Sequence, residues 1–113
     1  MGHEKFYILN TDGAFGKVAG EPVKIPIFEE FDFFLHRCGN DYRVSEGKTG
    51  NCISIGMSRK EAIENAALML NQYGKEEVRR VIQEKIIKYG ISPMHAPKLK
   101  GELSLVREKD AIA

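Results

Sequence analysis

Tryptophan is absent from this chain of 113 residues, and cysteine occurs only at positions 38 and 52. Two thiols cannot form the framework of a disulfide-stapled scaffold. Proline is sparse, and no Gly-, Ser- or Pro-rich tract or internal repeat interrupts the sequence, which argues against a disordered linker. The longest apolar run, Ala66–Leu70, falls far short of the ~20 residues that span a bilayer. No apolar leader follows Met1, so a cytoplasmic location without a membrane partner is expected. Neither sign of charge dominates: seventeen Lys and Arg against sixteen Asp and Glu give +1, so no global field draws in nucleic acid. What remains is the ordinary balance of one folded domain, 42% hydrophobic and 29% charged. A domain of this length buries roughly two-thirds of its unfolded surface and needs no metal or disulfide for stability.

Charge is unevenly distributed. Residues 1–50 hold six basic and eight acidic groups, net −2, whereas residues 75–100 hold seven and three, net +4. This predicts that a polyanion would meet the C-terminal half, unless those cations simply solvate a helix.

Hydrophobic patterning predicts an α+β domain over 1–93 and a C-terminal tail over 94–113. Lys5–Asn10 reads as a strand, and Asn10–Pro22, with Gly13, Gly16 and Gly20, as a loop. Pro26 marks a bend or an edge, and Phe31–Cys38 the stronger strand. Gly39-Asn40 is a two-residue hairpin turn returning the chain as Asp41–Glu46, and Gly47–Gly50 turns it again into Asn51–Gly56. Tight turns would align Leu35, Val44 and Ile53 on an apolar face, with His36, Arg43 and Ser54 on the other. The expectation is a three- to four-stranded antiparallel meander with a helix packed on one face. That helix opens at Ser58 with a capping box completed by Glu61, and stops at Gly74. A second C-terminal helix is expected from Lys75 to Tyr89, ended by Gly90 and Pro93. In the tail, Leu103, Leu105 and Val106 could add a strand or a docking segment.

Two lysine-bearing turns imitate a phosphate-binding loop. Gly47-Lys48-Thr49 ends like one, but Tyr42 stands where the motif needs glycine, and Gly16-Lys17 is followed by Val18. Neither is a nucleotide site. In the predicted register Cys38 and Cys52 lie at opposite ends of a hairpin, beyond disulfide reach. The histidines at 3, 36 and 95 have no ligand spacing, so no metal or cofactor is expected. His36, Arg43 and Ser54, with Cys38 and Asp41 nearby, are the nearest approach to an acid–base cluster. No pocket-forming loop accompanies them, and a non-enzymatic role is expected.

The most specific stretch is Gly56-Met57-Ser58-Arg59-Lys60-Glu61-Ala62-Ile63-Glu64-Asn65-Ala66-Ala67. It resembles the last strand and C-terminal helix of double-stranded-RNA-binding domains. The resemblance covers about Phe31–Tyr73 and implies that Arg59 and Lys60 contact phosphates across the groove of A-form RNA, with Ala66 and Ala67 packing on the sheet. Ile63 stands where that family has a third basic residue, and Gly39-Asn40 replaces its minor-groove loop. Lys48, in the second turn, is a further basic candidate. The same stretch is similar to HicB-type antitoxins, which implies a protein-interaction module.

The sequence thus points to a small non-enzymatic binding or accessory module. Its partner is unidentified: double-stranded RNA met by Arg59, Lys60 and Lys48, a protein, or a second copy of the chain. Val78, Val81, Ile82 and Ile86 form an apolar stripe for burial within the monomer or against that partner.

Overall fold

A computed structural model describes residues 4–93. Five antiparallel strands, β1 (Glu4–Leu9), β2 (Phe15–Val23), β3 (Phe33–Cys38), β4 (Asp41–Glu46) and β5 (Cys52–Gly56), form one sheet in sequence order, followed by one helix, α1 (Arg59–Tyr89). The α+β class and the antiparallel meander are as the pattern predicts. The expected tail, with Leu103, Leu105 and Val106, lies outside the described residues. No helix among the described residues is long and apolar enough to cross a membrane.

Three expectations are corrected. The sheet has five strands, because residues 15–22, within the expected Asn10–Pro22 loop, belong to β2. Its glycines suggest a loop, yet Gly20 is required in the strand. A Cβ at Gly20 would lie 2.8 Å from the Leu35 carbonyl oxygen and 3.1 and 3.3 Å from the Phe6 and Phe34 rings. Those rings, from the flanking strands, stack over the vacant position with centroids 4.3 Å apart.

The second C-terminal helix is not a separate element. Helix α1 runs from Arg59 to Tyr89 with only Gly74 outside helical dihedrals, at φ 80° and ψ 161°. Glycine adopts this conformation without strain, so one residue kinks the helix and the next resumes it. Lys75 and Arg79, just beyond the kink, both pair with Glu30.

The β4–β5 register also shifts. Ser45 opposes Cys52 as predicted, but Val44 opposes Ser54 and Arg43 opposes Ile55. The extra β5 residue is a bulge, and a one-residue slip exchanges the faces of every residue beyond it. Ser54 therefore faces the helix, donating to the Ala62 carbonyl at 2.6 Å, while Ile55 is exposed.

Helix α1 lies across β4 and β5. Ser58 caps it by accepting from the Glu61 N–H, and Glu61 accepts from the Met57 N–H. Close approach depends on small residues: a Cβ at Gly56 would come within 2.8 Å of the Ala62 Cα, and Ala62 and Ala66 are fully buried. The main core joins these alanines, Leu70 and Val78 to Phe33, Leu35 and Val44 on the sheet. Ile25, Phe28 and Phe31 complete it from the β2–β3 connection. At the bend marked by Pro26, the Phe28 N–H bonds the Ile25 carbonyl, and Ile27 is held at positive φ.

The turn between β4 and β5 ties distant segments together. The Glu46 side chain, 2% exposed, accepts from the Lys48 and Thr49 N–H groups and from the Thr49 hydroxyl at 2.7–2.9 Å. From this turn the Gly50 carbonyl accepts from the Leu9 N–H of β1, and the Lys48 carbonyl from the Ser92 N–H. Contact between β1 and the far end of the sheet requires the sheet to curl, which encloses Phe6, Phe34, His36 and Ser45 on the side opposite the helix. Replacing Glu46→Gln turns one acceptor into a donor facing backbone N–H groups. We expect destabilisation by about 3 kcal/mol in urea unfolding; a change below ~1 kcal/mol would mean the turn stands without the carboxylate.

Candidate nucleic-acid interface

The two sides of the sheet differ in chemistry. On the side opposite the helix, the His36 Nε2 and Ser45 Oγ lie 3.0 Å apart in a buried hydrogen bond, while the His36 Nδ1 is buried without a partner. Burial holds the imidazole pKa below its ordinary value, and the nearby Arg43 charge lowers it further. At neutral pH this is an uncharged core histidine. Arg43 shares its face and reaches Asp41 at 3.8 Å, but the bulge sends Ser54 to the helix side. The expected trio of His36, Arg43 and Ser54 is therefore not brought together.

Cys38 and Cys52 are both free thiols, and burial raises the Cys52 pKa. Among the described residues no group of three His, Cys, Asp or Glu side chains could hold a metal. The Gly47-Lys48-Thr49 turn cannot cradle phosphate, because the Lys48 and Thr49 N–H groups are taken by Glu46.

The helix side carries the other candidates. Arg59 and Lys60 open α1 and are exposed, but Arg59 is tied to Glu21 on β2, its Nε donating to the carboxylate at 2.7 Å. Lys48 sits at the opposite end of β5, roughly 17 Å of strand away. The structure does not gather the three into one patch. Of the apolar stripe, Val78 belongs to the core, and Val81, Ile82 and Ile86 are half-buried. In the C-terminal half Arg79 and Lys75 pair with Glu30 and Arg80 with Glu77 and Glu84, while Lys85 and Lys88 lie against the Tyr89 ring. The Arg79 guanidinium holds the Glu30 carboxyl below its ordinary pKa.

A second group of cations lies on the sheet. Strand alternation puts Lys5 and Tyr7 of β1, Lys17, Ala19 and Glu21 of β2, Arg37 of β3 and Tyr42 of β4 on the helix side. Helix α1 leaves this part of the face open, and Lys5, Lys17, Ala19 and Arg37 are exposed. Lys5 opposes Ala19, and Arg37 opposes Tyr42 with its guanidinium carbon 4.9 Å from the ring centroid. Beside them Lys17 opposes Tyr7, its ammonium 5.9 Å from that ring. Lys5, Lys17, Arg37 and Lys60 take part in none of the ion pairs found among the described residues. Glu21, already bound to Arg59, is the acid within the set. A groove of about 590 Å³ runs over this face, lined in part by Ala19, Glu21, Leu35, Arg37, Tyr42 and Arg59.

The chain matches no family model, curated protein or solved structure.

Sequence reasoning missed Lys5, Tyr7, Lys17 and Arg37. Their shared face exists only once β2 is a strand between β1 and β3, and reading Asn10–Pro22 as loop erased it. The alternation in Lys5-Phe6-Tyr7, an apolar ring between two polar-tipped side chains, was the available signal.

Because His36 is buried with a lowered pKa, it stabilises the fold when neutral, and the unfolded state takes up its proton first. Stability should fall as pH drops from 7 through the model-compound value of 6.5 toward the lower native one. Urea unfolding across this range should show that slope, and His36→Gln should flatten it. An unchanged slope in the variant would assign it to another group.

Proposed function

We propose that this chain is a non-enzymatic binding module that takes nucleic acid on the open part of its helix-side sheet face. The observation that supports this reading is the set of cations free of ion pairs on that face, Lys5, Lys17 and Arg37. Like charges gathered on a face whose one acid, Glu21, is taken by Arg59 repel one another, and a polyanion relieves that repulsion while releasing its counterions. The resemblance to double-stranded-RNA-binding domains enters through Arg59 and Lys60, at the border of this same face. With Arg59 held by Glu21, the strand cations become the larger contribution.

An antitoxin-like, self-associating module is the second reading, supported by a separate surface. Beside the unpaired edge of β5, Met69 and Tyr73 of α1 are exposed.

Titration into labelled RNA and DNA at 50 and 200 mM salt tests the first reading, with sedimentation of the same samples testing the second. About four phosphate contacts predict a weakening of order a hundredfold between these salts, and a Lys17→Ala/Arg37→Ala variant should lose most of the low-salt binding. No binding at low salt, or binding unchanged in the variant, contradicts the nucleic-acid reading. A monomer at all concentrations contradicts self-association.

A further inference from the structure

Resting on that reading, we infer that the ligand of this face is single-stranded nucleic acid, with unpaired bases stacked on Tyr42 and Tyr7 between the strand cations. Phosphate attraction alone does not distinguish a single strand from a duplex. The tyrosines do, because bases in a duplex keep their π-faces inside the stack, where rings standing on a sheet cannot reach them.

The arrangement suits unstacked bases in three respects. First, each ring is half-buried, so it is held in place with part of its surface open. Tyr42 also packs against the main core, which fixes its orientation before a ligand arrives. Second, each ring is paired across the strands with a cation, Arg37 with Tyr42 and Lys17 with Tyr7. Surface contacts between cation and ring are weaker than stacking of a base on the ring. A base can thus displace the cation, which stays within reach of the phosphate of the same nucleotide. Third, Ala19 is the smallest side chain of its row and leaves bare sheet between Lys5 and Arg37. The groove over Ala19, Leu35 and Tyr42 is large enough for a nucleobase.

The row from Lys5 on β1 to Tyr42 on β4 crosses three strand spacings, about 14 Å at ~4.8 Å each. That length accommodates a few nucleotides. The site carries no fixed set of donors and acceptors for base edges beyond Glu21 and Arg59, which satisfy each other. Weak sequence preference follows.

The test compares a labelled single-stranded 12-mer RNA with a 12-base-pair RNA duplex at 50 mM salt, using the full chain and its Tyr42→Leu and Tyr7→Leu variants. The single strand should bind at least tenfold more tightly than the duplex. Each tyrosine variant should weaken single-strand binding about tenfold, leaving its salt dependence unchanged and duplex binding unaffected. With no tryptophan in the chain, tyrosine emission gives a second readout. Single-strand binding should quench it, and less so in a variant lacking a stacking ring. Tyr7→Leu keeps the test decisive if loss of Tyr42 from the core prevents folding. If the duplex binds as tightly as the single strand, or the folded tyrosine variants bind unchanged, the inference fails while the nucleic-acid reading stands. If neither RNA binds at low salt, both fail.

Discussion

A buried carboxylate organises this molecule. Glu46 ends β4 inside the protein, and its oxygens are satisfied by the turn that follows it, through two backbone N–H groups and the Thr49 hydroxyl. A carboxylate in such a position is tolerated only when its hydrogen bonds are made, so the turn must close tightly around it. Once closed, the turn presents groups that bind segments far away in sequence. Gly50 holds the end of β1, Lys48 holds the chain after α1 through Ser92, and the Gly47 N–H bonds the Asp32 carbonyl before β3. Gly50 is glycine for the same reason: a Cβ there would lie 2.7–2.9 Å from the β1 backbone. The sheet's curl, and hence the placement of β1 and β2, depends on this one turn.

That curl divides the apolar residues between two cores. Helix α1 covers β4 and β5 on one side, while the sheet itself encloses Phe6, Phe34 and the His36–Ser45 pair on the other. With one helix and a five-stranded sheet, part of the helix-side face stays open. The residues filling that part are lysines, an arginine and two tyrosines, where apolar side chains would otherwise be expected on a packed face. The proposed binding function is a consequence of this incomplete coverage. The Gly47-Lys48-Thr49 turn has a structural role instead, since the amides that could have bound phosphate are occupied by Glu46.

The sequence made the local features legible. The Gly39-Asn40 hairpin, the capped start of α1, β4 and the His36–Arg43 pairing follow from turn chemistry and alternation. What it concealed depended on contacts between distant residues. Gly20 looks like a loop residue until Phe6 and Phe34 are placed on either side of it, and Gly74 looks like a helix end until the continuation is seen to reach the core through Val78. The β5 bulge, which separates Ser54 from His36, has no local signature at all. Charge sums by segment say nothing about which of those charges are paired, for the same reason. Lys75, Arg79 and Arg80 of the basic C-terminal half are paired with Glu30, Glu77 and Glu84, whereas Lys5, Lys17 and Arg37 of the acidic N-terminal half are in no ion pair.

The most direct test of the account is to record amide chemical shifts of the isotopically labelled full chain during titration with a short single-stranded RNA at low salt. The account predicts that the largest changes fall on Lys5, Tyr7, Lys17, Ala19, Arg37, Tyr42 and Lys60, with the interior residues Phe34 and Ser45 unmoved. Changes confined to the β4–β5 turn or to the second half of α1, or no changes at all, would contradict it.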